Sequence, residues 1–453
     1  MLSATGDIGR TLRKVLAIMN YTSLLWTLPF ITILLSIAFI PLIASNFWNQ
    51  HYGKVVTLCS VGLIASTWWA FGTVQTYSLI QHALIEHYLP FIILVGGLYI
   101  MASDIRIQVS ALPTPLINTL FLCVGTLLAS LLGTTGAAMV LVKPFIQMNQ
   151  PRLKKVHLIV FFIFLVANVG GCLTPVGDPP LFIGFLKGIP FFWPLQHLIL
   201  PFVCVSLPLL VLFYFIDQWH WRREPQPQIF STLCISFKGY PNLLCILGVT
   251  SLTILTPLMP EQPFTWVSWT KGDIMRNAGI VVLALFSWKI TPLLIRQQNH
   301  FDWHPVKEVA KIFAGIFITV SPILELLSQG TDGPFSFFTR HLLMGETLQP
   351  GLFFWATGVL SAFLDNAPTY LIFFHFAGGD PLTLSTTLSS TLAAISCGAV
   401  FMGAFTYIGN APNFMIRTLA QDEGIAMPSF FGYMGWACVL LLPLFGLITW
   451  LFF

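Results

Sequence analysis

The chain has 453 residues, 56% of them hydrophobic and only 8% Asp, Glu, Lys or Arg, with a formal net charge of +4 and a mean hydropathy of +0.81. A soluble domain carries about 25% charged residues, so this composition excludes a soluble enzyme, a nucleic-acid binder and a disordered chain, and the small net charge implies no polyanionic partner. Unbroken apolar runs of about 20 residues fit membrane-spanning helices, whereas the strands of a membrane β-barrel would alternate apolar and polar over roughly 10 residues.

In chain order, spanning helices are expected near 24–44, 53–72, 80–102, 156–187, 194–216, 240–258, 275–295, 307–327, 385–416 and 430–453. Two of these ten runs, 156–187 and 385–416, are long and carry Gly/Pro breaks at their centres. Two further segments, 114–148 and 350–377, each hold two short apolar halves around a polar tip, Gly133-Thr134-Thr135-Gly136 and Asp365-Asn366-Ala367-Pro368. A half of about 15 residues spans roughly 22 Å as helix, short of the ~30 Å hydrocarbon core, so re-entrant hairpins fit better than full spans. The first apolar run is too long for a signal-peptide core and lacks a small-residue cleavage site, so no cleavable leader is expected.

An internal repeat is the strongest signal. Gly171, Thr174, Gly177, Pro180 and Phe182 recur as Gly403, Thr406, Gly409, Pro412 and Phe414, at a constant offset of 232. At the hairpins Thr126 and Ser130 align with Thr357 and Ser361 at an offset of 231, which sets Thr134-Thr135 opposite Asp365-Asn366. The broken helices are the fourth and ninth crossings. An odd separation makes the repeats antiparallel, the inverted arrangement of secondary transporters, whose site lies at the midplane where discontinuous helices meet. The expected organisation is an N-terminal segment 1–23, a first repeat 24–216, a connecting loop 217–239 and a second repeat 240–453: an all-α polytopic membrane protein. Arg152, Lys154, Lys155, Arg222, Arg223, Lys238, Arg296 and Lys307 fall on one side, which the positive-inside rule makes cytoplasmic. Ten crossings then put the N-terminus outside despite Arg10, Arg13 and Lys14; an interfacial amphipathic helix over about 7–20, or an uncounted span, would reconcile the two.

The candidate chemistry sits in the breaks and tips. A broken membrane helix exposes backbone groups that hydrocarbon cannot satisfy, so it persists where those groups line a site. Asp178 lies in the first break, with Asn410 as its repeat mate; Asp365 lies at the second tip, opposite Thr134. Carboxylates at membrane depth are costly and mark function by default. They hold a cation or protons, with oxygen ligands available from Thr134, Thr135, Thr174, Thr406, Asn366 and Asn410. The bland alternative for both acids is capping of a half-helix N-terminus. Glu325 in the eighth crossing is a candidate proton relay or a helix-end partner. Lys143 and His375 read as snorkelling side chains or loop contacts. His300 and His304 share a helical spacing but fall in an aromatic loop, and the only metal expected is a transported ion. The eight cysteines form no C-x-x-C pair and read as small core residues. With no G-x-x-x-x-G-K-S/T loop and no H-E-x-x-H, neither ATP hydrolysis nor any cofactor or catalytic residue is expected.

The strings Asn168–Asp178 (N-V-G-G-C-L-T-P-V-G-D), Ser361–Pro368 (S-A-F-L-D-N-A-P) and Tyr407–Asn413 (Y-I-G-N-A-P-N) resemble the ion-transporter superfamily of arsenite permeases, citrate and dicarboxylate transporters, and NhaD-type sodium/proton antiporters. The resemblance covers roughly 50–453 and is closest to the NhaD type. It implies ion-binding roles for Ser361, Asp365 and Asn366 in the second hairpin, and for Asn168 and Asp178 around the first break. Two departures weaken a cation site. The first hairpin keeps Ser130 but has Thr134-Thr135 where those antiporters carry Asp-Asn, and Pro179-Pro180 replaces hydroxyl residues. Both move the chain toward the anion-carrying relatives.

The sequence thus reads as a secondary transporter exchanging Na⁺ or Li⁺ for protons by alternating access in a bacterial inner membrane, with a homodimer expected. The alternative is an anion permease for citrate, another carboxylate or arsenite; a non-transporting scaffold or receptor fits the broken repeats poorly.

Overall fold

The computed structural model describes residues 24–225, 234–259, 269–299, 301–328, 333–336, 343–344 and 347–453. The segment 1–23, with the interfacial helix expected near 7–20, and His300 lie outside the described residues. The α-helices, in chain order, are α1 (Leu28–Ile43), α2 (Ser45–Ile80), α3 (Leu89–Ser103), α4 (Pro115–Leu132), α5 (Thr134–Met148), α6 (Val156–Leu165), α7 (Pro179–Leu186), α8 (Trp193–Trp221), α9 (Tyr240–Leu255), α10 (Lys271–Ile290), α11 (Leu293–Gln298), α12 (His304–Ser328), α13 (Pro350–Phe363), α14 (Asn366–Phe376), α15 (Pro381–Ser385), α16 (Ser389–Met402), α17 (Ala411–Asp422) and α18 (Phe430–Phe452). A π-helical turn, Gln81–Tyr88, joins α2 to α3. The strands among the described residues are short: β1 (Arg106–Ser110) pairs antiparallel with β2 (Cys234–Lys238), and β3 (Leu343–Met344) with β4 (Thr347–Leu348). The protein is an all-α polytopic membrane protein.

Among the described residues eight helical stretches are long and apolar enough to cross a membrane, against the ten expected. The runs 53–72 and 80–102 form one helical stretch from Gln50 to Ser103, interrupted only at Gly72, whose φ of +83° leaves the helical region. The expected span 275–295 is α10, which carries Lys271, Asp273, Arg276 and Lys289 and so falls outside the apolar set. Conversely, the first arm of hairpin 114–148, α4, is 18 residues long and meets the criterion by itself.

The chain forms two compact units. The first comprises Met1–Pro90, His304–Leu348 and Phe374–Asp380. In it α1, α2, the π turn and α12 pack together, with Leu63, Leu79, Ala83 and Ile318 in one buried cluster. Helices α2 and α12 approach so closely that a Cβ on Gly315 would stand 2.2 Å from Val56 Cγ1.

The second unit comprises Phe91–Trp303, Gln349–Phe373 and Pro381–Phe453, and so draws on both repeats. Its centre is α6, buried at every residue from His157 to Leu165. Apolar burial alone does not fix the helix ends; two buried ionic knots do. Asp217 near the end of α8 accepts Arg152 Nη2 (2.6 Å), Asn118 Nδ2 (2.9 Å) and His157 Nε2 (2.9 Å), while Arg152 Nε also reaches Glu224 (2.8 Å). That knot ties α4, α6, α8 and the loop after α5. Asp104, just past α3, takes Arg296 Nε at 2.7 Å and Ser287 Oγ at 3.1 Å, tying α10 and α11 to the start of β1.

Removing one member of a buried pair leaves its partner's charge uncompensated, at a cost of about 3–5 kcal/mol. Asp217→Ala still leaves Arg152 its bond to Glu224 but strips buried donors of their acceptor, so it is expected to lower stability by about 1–3 kcal/mol, read as a lower thermal unfolding midpoint of the purified protein; an unchanged midpoint would show that the knot contributes nothing.

Candidate functional site

Both interrupted helices have the same local build. In the first, α6 ends, a 3-10 turn runs Val169–Leu173, and α7 starts at Pro179. In the second, α16 gives way to a 3-10 turn, Gly403–Phe405, and α17 starts at Ala411. Proline has no N–H and a φ already suited to the first turn, so Pro179-Pro180 and Pro412 restart a helix immediately after each break. The freed backbone groups are answered by hydroxyls. Thr174 Oγ1 donates to Ser130 O (2.5 Å) and accepts Gly177 N–H (3.1 Å). Thr406 Oγ1 donates to Ala362 O (2.5 Å) and accepts Gly409 N–H (3.0 Å). Each break is thereby pinned to the arm of its own hairpin.

The glycines follow from the closeness of these strands of chain. A Cβ on Gly177 would lie 2.3 Å from Gly171 O, and one on Gly409 would lie 2.7 Å from Gly403 O. The first hairpin bends at Gly133, whose φ of +76° suits glycine. Thr134 N–H then donates to Gly177 O at 2.9 Å, so the tip rests on the break.

Asp178 is 1% exposed. It occupies the N-cap position of α7, but its side chain makes no capping bond. Its oxygens instead take Thr134 Oγ1 at 2.8 Å and Asn366 Nδ2 at 2.5 Å. One carboxylate therefore joins the first break, the first tip and the second tip. Asn366 is fully buried, and its Oδ1 has no hydrogen-bond partner. Asp365 behaves differently: it is partly exposed, and its Oδ1 accepts Ala367 N–H at 3.2 Å, so it caps α14.

A cavity of about 40 Å³ opens beside Asp178, room for about three waters. Leu98, Tyr99, Thr134, Thr135, Val176 and Phe182 are among the residues that line it, and no Lys or Arg does.

The remaining expected ligands divide. Ser130 Oγ donates to Gly170 O (2.5 Å) and Ser361 Oγ to Ala399 O (2.7 Å), so both hydroxyls brace backbone here. Asn168 and Asn410 are engaged with each other. Asn410 Nδ2 donates to Asn168 Oδ1 (3.1 Å) and Ala167 O (3.0 Å), and Asn168 Nδ2 donates to Asn413 Oδ1 (2.8 Å) and Ile163 O (2.8 Å). Asn413, absent from the expected site, completes this clasp by donating to Gly403 O and Thr406 O. It has no repeat counterpart, since Leu181 stands at the matching position, which is why the repeat did not reveal it. Glu325 belongs to the first unit, half-buried on α12.

Broken helices meeting at a buried acid, in a bundle of apolar helices, define an integral membrane protein with a polar site inside it. A family model described as "putative citrate transport" (CitMHS_2) matches residues 19–453; the chain belongs to that family and is a transporter. No curated protein matches the chain.

Overpacking a tight contact costs about 1–3 kcal/mol. Gly177→Ala is expected to lower the unfolding midpoint by that order and to reduce transport, whereas Gly435→Ala, with nothing within 4 Å of the added atom, leaves both unchanged. Equal midpoints for the two variants would contradict the close approach of the break to itself.

Proposed function

We propose that the protein is a secondary transporter that binds a monovalent cation, Na⁺ or Li⁺, beside Asp178 and exchanges it for protons, the two repeats working as an inverted pair. The observation that carries this reading is the buried, unpartnered Asn366 Oδ1 next to the Asp178 carboxylate. A buried acceptor without a donor costs about 1–3 kcal/mol, and a cation coordinated by Asn366, Asp178 and Thr134 or Thr135 would satisfy it with the hard oxygen ligands such ions prefer. A proton on Asp178 is the natural competitor, because neutralising the acid removes the charge that holds the metal. The absence of Lys and Arg from the cavity lining supports a cation over a free anion.

A second reading is favoured by the family description: a citrate-class carboxylate is the cargo, and the same acid holds the coupling cation or proton. The cavity, at about 40 Å³, is too small for such a molecule, so this reading requires an opened conformation.

Proteoliposomes loaded with a proton-sensitive dye separate the two. The first reading expects Na⁺ or Li⁺ alone to move protons, with apparent affinity weakening as pH falls, up to tenfold per unit for each proton displaced, about 1.4 kcal/mol. No response to either cation, with saturable uptake of citrate, would overturn it in favour of the second. Asp178→Asn is expected to abolish coupled movement under both readings while the protein remains folded. Asp365→Asn divides the acids: asparagine caps a helix as well as aspartate, so retained transport shows that Asp365 serves α14, and lost transport with an unchanged unfolding midpoint places it among the ion ligands.

A further inference from the structure

Among the described residues of the second unit the fully buried arginines are Arg152, Arg276 and Arg296, and each holds a carboxylate of the protein: Asp217 and Glu224, Asp273, and Asp104 respectively. Arg417 on α17 holds none. It is half-buried, and among the described residues it makes no hydrogen bond and no ion pair. Its Nε is buried without an acceptor, while the terminal nitrogens keep some exposure. The guanidinium lies over the Tyr407 ring, 4.7 Å from its centroid. Tyr407 stacks in turn on Tyr433, with centroids 4.1 Å apart, and both hydroxyls are pinned, to Pro428 O at 3.2 Å and to Ala404 O at 2.8 Å. The platform under the guanidinium is therefore fixed, and the donors in its plane have nothing to bond.

A guanidinium presents its donors as a rigid planar fork that matches the two oxygens of a carboxylate, and stacking one face on an aromatic ring leaves the edge of that fork free. The place of Arg417 bears on transport. Tyr407 belongs to the second break and stands, at the repeat offset of 232, where Pro175 stands in the first, and Pro175 lines the cavity beside Asp178. The same offset sets Arg417 against Phe185 and Asn410 against Asp178, so one break carries an acid where its mate has an amide, and the other carries a guanidinium where its mate has a phenyl ring. Helix α17 exposes Thr418, Gln421 and Asp422 and is not one of the apolar helices long enough to cross the membrane, so its polar face suits an aqueous path. We propose that Arg417 binds a carboxylate group of the cargo through its guanidinium fork on the Tyr407 platform. This rests on the reading in which a citrate-class carboxylate is carried, and it names the residue that holds the anion while Asp178 holds the coupling cation or proton. Access to the buried Nε uses the opened conformation that this reading already requires.

The full-length protein in detergent is titrated separately with citrate, succinate and sulfate while the unfolding midpoint is followed, and uptake of radiolabelled citrate and succinate is measured in proteoliposomes. Saturable stabilisation by a carboxylate but not by sulfate is expected, with the half-saturating concentration for binding and uptake raised about tenfold or more in Arg417→Gln, the loss of hydrogen bonds to a charged group, and raised in the same direction in Arg417→Lys, which keeps the charge and loses the fork. Saturable citrate uptake with the same half-saturation in wild type and Arg417→Gln overturns the proposal and leaves the carboxylate reading standing. Binding of citrate or succinate that depends on Arg417, without uptake of either, keeps Arg417 as a carboxylate ligand and defeats the reading on which its transport role rests. Neither binding nor uptake by the wild type, or equal stabilisation by sulfate, overturns the proposal. Should Arg417→Gln fail to fold, Arg417→Lys decides: an unchanged half-saturation in that variant overturns it.

Discussion

Two helices stop inside this protein, and every backbone group freed by those stops must find a partner within the protein, because hydrocarbon offers none. Most of the site's chemistry follows from that constraint. Thr174 and Thr406 turn their hydroxyls to backbone, Ser130 and Ser361 do the same, and glycines let the chain pass close enough for those bonds to form. Residues that look like ligands in the sequence are thus largely engaged in keeping the breaks open. What is left over, Asp178 with Asn366 and the threonines of the first tip, is where charge and an unmet acceptor coincide.

The two breaks share a plan and differ in charge. Where the first has Asp178, the second has Asn410, and the amide is absorbed into a clasp with Asn168 and Asn413. One break therefore carries a buried carboxylate, while the other is a neutral fastener joining segments from both halves of the chain. Asp365 does not restore the balance, since its carboxylate faces its own helix start. The fold thus holds one acid that reaches across from break to tip and one that serves its own helix start.

The all-α membrane fold was legible because few charges excluded a soluble chain and unbroken apolar runs of about 20 residues suit helices, not the alternating strands of a barrel. The breaks were legible because Gly, Thr and Pro recur at one spacing, each for a backbone reason that can be named. Three things were not. The ionic knots at Asp217 and Asp104 join residues 65 and 192 positions apart, and their basic members read equally well as orientation signals. Asn413 lies off the repeat, so nothing periodic marks it. The split of the acids, with Asp178 reaching across and Asp365 capping, depends on side-chain directions that spacing does not encode. The single helical stretch from Gln50 to Ser103 was hidden for a related reason: Gly72 and the polar residues after it look like a loop, and neighbouring helices supply the packing that propensity lacks.

The bond between Asp178 and Asn366 spans 188 residues of sequence, and the Asn168–Asn413 bond spans 245. At about 5–20 residues per second, a ribosome needs roughly 10–40 s to make the partner of Asp178 after the acid itself has emerged. For that interval the first break is complete in covalent terms yet lacks the side chain that shields its carboxylate. Until then Thr134 is the acid's hydrogen-bond partner from the first half, and the contacts to Asn366 and Asn413 close only when the last quarter of the chain has been added.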